Sequence, residues 1–186
     1  DSRGGISLGW CAAMTISLVI DTATSRTIVG IVQDRKILWQ SFHDGATDHG
    51  NAVADLVKQA LAAGVNPDRV VVGMGPGPFT GLRVGIAFAR AFAAARNIEV
   101  IGVCSLDAIV VDQDEYTVAI DARRKEIYWA SYKDGKRVAG PEVSKPADVE
   151  NFIIDQYPDL TKLVALSTSQ NVSEPMYLRR PDAVPT

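Results

Sequence analysis

Few residues in this chain are equipped for chemistry, and their spacing limits what they could do. There are two histidines, His43 and His49, and two cysteines, Cys11 and Cys104. A catalytic metal generally takes three or more protein ligands, and this set of histidines and cysteines has no metal-binding spacing. Cys104 and its neighbour Ser105 are possible nucleophiles, but no histidine stands in a recognisable base position near them in sequence. Cys104 at a strand end is most simply a small buried apolar residue. Gly75-Pro76-Gly77-Pro78 opens a loop that could pass for a phosphate loop. It lacks the Lys-Ser/Thr pair after its last glycine, so it is not a Walker A motif. Two acids, Asp21 and Asp121, each close a short apolar run, Ile16 to Asp21 and Thr117 to Asp121. Phosphate-cradling turns are rich in glycine, because backbone N–H groups must close on the anion. After Asp21 come Thr22, Ala23, Thr24 and Ser25, and after Asp121 come Ala122, Arg123 and Arg124. The missing glycines favour a plain role for both acids, ending a strand and bonding turn amides.

The elements that position these residues follow from periodicity. Ile16 to Asp21, Ile28 to Gln33 and Lys36 to Phe42 read as three consecutive strands, an antiparallel meander turning at Gln33-Asp34-Arg35. Val53, Leu56, Val57, Ala60 and Leu61 recur at helical spacing, with Asp48 as N-cap and Gly64 as stop. Arg69 to Met74 reads as a strand, Thr80 to Ala95 as a second helix, Val100 to Val103 as a strand and Leu106 to Val110 as a short helix. The theme then restarts with Thr117 to Asp121 and Glu126 to Tyr132, which suggests two related lobes. Pro146 to Phe152 is expected to be a helix and Leu163 to Leu166 a strand.

The bulk properties bound the partners. The chain has 186 residues, of which 47% are hydrophobic and 22% charged, ordinary values for a globular protein. Net charge is −3, whereas a free-standing nucleic-acid binder usually carries a basic surplus. No apolar run is long enough to span a bilayer. The cysteine usage fits a reducing, cytoplasmic location with no disulfide framework. Residues 1–13, ahead of Met14, read as a leader, either an expression scar or an upstream misread start. Leu8-Gly9-Trp10-Cys11 is a poor lipoprotein box, having Trp10 before the cysteine and no preceding signal.

Several stretches resemble one family. They are Leu18-Val19-Ile20-Asp21-Thr22-Ala23-Thr24-Ser25, Gly75-Pro76-Gly77-Pro78-Phe79-Thr80-Gly81-Leu82-Arg83-Val84-Gly85, and Asp121-Ala122-Arg123-Arg124-Lys125-Glu126-Ile127-Tyr128-Trp129. Ser105-Leu106-Asp107-Ala108 and Pro175-Met176-Tyr177-Leu178-Arg179-Arg180 match as well. Together they resemble the TsaB (YeaZ) family. The resemblance implies an α/β fold of the actin-like, hexokinase-like (ASKHA) kind. Its two lobes would be an N-terminal lobe over 14–110 and a shortened C-terminal lobe and tail over 111–186. Family members carry an extra helix-bearing segment between Ser167 and Pro175, so the second lobe here is expected to be reduced.

The resemblance also implies a function. Such a protein is a scaffold for the paralogue TsaD, supporting threonylcarbamoyl transfer to N6 of adenosine 37 in tRNAs that read ANN codons. TsaD would carry the ATP and the metal, TsaE would join the complex, and tRNA would be met only through the assembly. Relatives hold magnesium or a water at the two strand-end acids, which makes Asp21, Thr22 and Asp121 weak cofactor candidates. TsaD proteins have two metal-binding histidines separated by three residues on the first helix. Here His49 stands at the first and Val53 at the second, so His49 reads as a helix-start polar residue. Two alternatives remain: an independent ATPase or glycoprotease-like peptidase of the superfamily, or a self-associating homodimer. The expected partner surface is the apolar stripe Val53, Leu56, Val57, Ala60 and Leu61 with the small-residue stripe Gly81, Gly85, Ala89 and Ala93. A glutamate at Ala89 is expected to abolish association and leave the fold intact. Arg123, Arg124 and Lys125 form a basic turn that could touch RNA or an acidic partner.

Overall fold

The computed structural model describes residues 14–179. Residues 1–13, with Cys11, and the residues from Arg180 onward lie outside the described residues.

Strands β1 (Ile16–Asp21), β2 (Arg26–Gln33) and β3 (Lys36–Asp44) form the expected meander. Strands β4 (Arg69–Gly73) and β5 (Glu99–Val103) add to it in parallel, giving the order β3-β2-β1-β4-β5. Parallel neighbours require crossovers. Helix α1 (His49–Leu61) links β3 to β4, and α2 (Phe79–Arg96) links β4 to β5. β1 and β4 are buried almost end to end, and Val70-Val71-Val72 is accordingly an unbroken apolar run. One face of the sheet packs on α1 and α2 through Leu18, Ile20, Val29, Ile31, Val70 and Val72. This is the first lobe.

A second sheet repeats the pattern with β6 (Glu115–Asp121), β7 (Ile127–Lys133), β8 (Lys136–Ser144) and β9 (Phe152–Ile153), in the order β8-β7-β6-β9. β9 pairs in parallel with β6, as β4 does with β1. The helix that should cross between β8 and β9 is absent from the described residues. The expected helix over Pro146 to Phe152 is a 3-10 turn at Pro146–Asp148, and Phe152 already belongs to β9. None of that turn is buried, so no apolar face holds a longer helix against the sheet.

The segment Leu163 to Leu166 is also not a strand. It is the end of helix α3 (Leu160–Leu166), and its buried residues, Leu160, Leu163 and Val164, recur at helical spacing. Asp159 caps it, its carboxylate accepting from the Lys162 backbone N–H at 2.9 Å. Although α3 follows the second sheet in sequence, it packs beneath the first, against Val19, Val32, Val71 and Val103. The short helix near Leu106 is a 3-10 turn, Leu106–Ala108. The polar residue at its centre joins the two lobes. Asp107 accepts the Tyr132 hydroxyl from β7 at 2.8 Å and the Gln170 side-chain amide at 2.7 Å, with Arg137 of β8 at 3.4 Å. Among the described residues no helix is long and apolar enough to cross a membrane.

Candidate functional site

The two strand-end acids occupy different environments. Asp21 is wholly buried. One carboxylate oxygen accepts the Ala23 backbone N–H at 2.9 Å, and the other accepts the Ser105 hydroxyl at 2.6 Å. A side chain at Gly73 would collide with that carboxylate, so the strand beside it must be glycine. Burial pushes Asp21 up to about 6, although the two hydrogen bonds favour its charged form. Asp121 is exposed, and its carboxylate accepts the Arg123 backbone N–H at 2.8 Å. Both acids therefore bond turn amides. They are not brought to one site: Asp121 borders a small hollow of about 140 Å³ with Asp155 and Tyr157, and Asp21 lines neither that hollow nor the interlobe cleft.

Thr22, the third cofactor candidate, is also buried, and its hydroxyl donates to the Gly81 carbonyl at 2.8 Å. That bond ties the first turn of α2 to the end of β1. The small-residue stripe makes this approach possible. A Cβ at Gly85 would collide with the Thr22 side chain, and one at Gly81 would lie 2.8 Å from the His49 ring. Ala89 and Ala93 continue the stripe into the core, as do Val53, Leu56, Val57 and Ala60 of α1. Leu61 packs at the margin of the same core. The two stripes thus face the sheet and each other. Ala89 has no exposed surface, so a glutamate there would attack the fold itself.

The histidine at the start of α1 is engaged. His49 Nδ1 lies 2.7 Å from the Thr27 hydroxyl, and the ring is buried. Burial, then electrostatic repulsion of a charged ring by His43 and Arg123, holds its pKa below the ordinary value, so the ring is neutral at pH 7. One turn on, Val53 sits in the core. A metal of the kind implied for the family therefore finds one occupied imidazole and an apolar side chain, Val53, where the second histidine would stand. The donor set does not fit it. Ser105 is also committed, donating to Asp21 and accepting the Gly75 N–H at 3.2 Å with no exposed surface. Cys104 is buried, and burial followed by the negative charge of Asp107 pushes its thiol up to about 12. It stays protonated and unreactive at neutral pH.

A cleft of about 830 Å³ opens between the lobes. The first lobe contributes Thr24, Thr47, His49 and the α2 start from Phe79 to Gly81. The second contributes Ala122, Arg123, Arg124 and Tyr128, and the C-terminal segment adds Tyr177 and Arg179. Tyr177 stacks at a tilt on Phe79, with ring centroids 4.8 Å apart. Arg179 is paired with Glu126 and donates to the Ala122 carbonyl at 3.2 Å. Sequence reasoning marked the Tyr177–Arg179 stretch as matching the family but gave it no role. Nothing in its local pattern signals that it folds back to a loop some fifty residues earlier, a separation of 57 between Arg179 and Ala122.

Comparison with known proteins fits this architecture. A model of the family described as TsaD, tRNA N6-adenosine threonylcarbamoyltransferase, matches residues 43–181. The chain belongs to this family. An uncharacterized protein of Mycobacterium tuberculosis is 40% identical, covering 90% of this chain and 93% of the relative. An uncharacterized protein of Mycobacterium leprae is 42% identical over 92% of this chain, but the match spans only 57% of the relative's length. That match runs over 204 positions, more than the 186 of this whole chain, so the relative has residues inside the matched stretch that this chain lacks. The Escherichia coli tRNA threonylcarbamoyladenosine biosynthesis protein TsaB is 30% identical over 62% of this chain and 54% of its own length. In structure, YeaZ from Pseudomonas aeruginosa superposes with a TM-score of 0.71 at 22% identity, covering 84% of this chain and 92% of that one. A further structure, of an uncharacterized protein similar to peptidase YeaZ, gives 0.76 at 22% identity, with 89% of this chain and 100% of that one covered. The resemblance to the TsaB (YeaZ) family and the actin-like fold read from the sequence are borne out.

Proposed function

We propose that this chain is a non-catalytic partner subunit that binds a TsaD protein and supports threonylcarbamoyl transfer to N6 of tRNA adenosine, at position 37 of tRNAs reading ANN codons. The observation that carries this reading is the state of His49. In a chain of this family, the imidazole at the head of α1 is committed to Thr27, and the next turn offers Val53. The same reading assigns ATP and metal to TsaD, with TsaE as a further member of the complex. The buried Ser105 and protonated Cys104 weigh against an independent peptidase.

The contact with TsaD belongs on the outward face of the helix pair, since the inward stripes are already buried. On α2 that face presents Ala87 and Ala91 to solvent, with Val84, Phe88 and Phe92 half-buried beside them. Phe88 and Phe92 stack along it at 6.3 Å. Two exposed alanines beside this pair of aromatic rings offer a helix of another chain a close apolar approach. The same face could serve a homodimer when the chain is alone.

Reconstitution of the modification from purified subunits tests the function, with this chain omitted in one reaction. Modification that proceeds in full without it refutes the reading. For the surface, Ala91→Glu is expected to stay folded by circular dichroism and to lose TsaD binding in size-exclusion chromatography. Ala89→Glu is expected to unfold. An Ala91→Glu protein that binds TsaD unchanged places the contact elsewhere.

A further inference from the structure

The arginines of α2 are placed differently from several elsewhere in the chain. Arg26, Arg123, Arg137 and Arg179 pair with Asp44, Asp121, Asp107 and Glu126. Arg83, Arg90 and Arg96 are exposed, and among the described residues no carboxylate pairs with any of them. Each is held by a neutral group instead. The Arg83 guanidinium lies 5.0 Å from the centroid of the Phe79 ring, and that of Arg96 lies 4.6 Å from the centroid of Phe92. Arg90 donates to the Ser173 carbonyl at 2.7 Å. These contacts order the side chains without neutralising them, so a partner need not immobilise three long chains to use their charge.

Helix α2 contains no Asp or Glu. Apart from Thr80 and the three arginines, every exposed residue on it is alanine. The exposed side of α1 adds one cation, Lys58, and one carboxylate, Asp55. The helix pair thus presents four cations and a single carboxylate, on a chain whose net charge is −3. This is a local field opposite in sign to the molecule as a whole.

The shape of the face admits a second copy or a different helix, but its charge does not treat them alike. A two-fold axis sets the same patch of two copies against itself, so every cation on one copy meets a positive face on the other. Like charges brought together where water is excluded oppose association. A helix carrying carboxylates beside small apolar residues meets the same arginines in charge-assisted, bidentate pairs. RNA is also an anion, but the exposed alanines offer it neither a hydrogen bond nor a stacking ring, whereas they suit close helix packing. Taking α2 as the docking helix for TsaD, as proposed above, we infer that its outward face selects a partner helix bearing carboxylates and turns away a second copy of this chain.

Sedimentation velocity of the full chain, alone and with TsaD from the same organism, tests this. At about 50 mM salt and about 100 μM protein the chain alone is expected to be monomeric, because the repulsion is weakly screened there, and TsaD binding should weaken as salt is raised. Arg83→Glu/Arg90→Glu should stay folded by circular dichroism and bind TsaD at least tenfold more weakly, while Arg83→Lys/Arg90→Lys should lose much less. Unchanged binding by the folded glutamate variant overturns the inference. If Ala91→Glu still abolishes binding in that case, the docking site stands and only the selection by charge fails. If Ala91→Glu leaves binding unchanged as well, the docking site itself lies elsewhere. A low-salt dimer of the wild-type chain that Ala91→Glu disperses also overturns it, since a second copy would then be the occupant. So does tRNA binding by the chain alone that the glutamate variant loses, which would make the face an RNA surface.

Discussion

Asp21 shows how a residue with the features of a cofactor ligand can serve the fold instead. Its carboxyl is raised from 3.8 to about 6 because burial disfavours the charge more than Ser105 and Ala23 favour it. The folded state therefore holds the proton more tightly than the unfolded chain does. The stabilisation this gives is complete below pH 3.8 and is lost as pH rises through about 6. Asp21→Asn should remove this dependence while keeping an acceptor for Ala23 and gaining a donor towards Ser105. Urea unfolding from pH 4 to 7 should show wild type losing up to about 3 kcal/mol relative to the variant across that window. A constant difference between the two proteins would refute the assignment. The sequence exposed this residue's position but not its partner. Asp21 and Ser105 lie 84 positions apart, and only the pairing of β1 with β4 and of β4 with β5 brings them together.

At the scale of elements, what could be read in the sequence depended on how much of each pattern lies within the element. The meander, α1 and α2 carry their own periodicity and were legible. Helix α3 was not, because Leu163 to Leu166 is too short an apolar run to distinguish helix from strand without noticing the cap at Asp159. The faces of α1 and α2 were legible as stripes, but not which stripe turns inward. A row of small residues serves close packing equally well inside a chain or between chains, and Thr22 and His49 are what α2 approaches here. The packing of α3 makes a similar demand on β2. A Cβ at Gly30 would run into the Leu160 side chain, so that strand must be bare where the helix crosses it. Gly30→Val is expected to cost roughly 1–3 kcal/mol by overpacking, read as a lower urea midpoint with far-UV circular dichroism retained.

For the molecule as a whole, Asp107 is where the lobes meet. Its carboxylate receives Tyr132 from the second sheet and Gln170 from the C-terminal segment, and Gln170 in turn accepts the Cys104 N–H at 2.9 Å. Burial and that carboxylate push the Tyr132 hydroxyl upward, so it remains a donor throughout the neutral range. Asp107→Ala would leave both donors without their acceptor, at a cost of roughly 2–4 kcal/mol. Amide exchange should then accelerate in β7 and in the residues after α3 before it does in β1 or β4. Uniform acceleration would mean that the joint does not divide the molecule in this way.

The return of α3 beneath the first sheet has a consequence for synthesis. Leu160, Leu163 and Val164 close the lower face of that sheet, Val172 N–H bonds the Gly102 carbonyl, and Met176 N–H bonds the Met74 carbonyl. A ribosome making this chain will have released both sheets before the residues that finish the first one emerge from the exit tunnel. The N-terminal half must therefore wait with an uncovered apolar face, the condition in which nascent chains recruit holdase chaperones. A chain stopped at Asn151 should accumulate as protease-sensitive or aggregated material, and supplying residues 152–179 as a separate peptide should restore part of its protection.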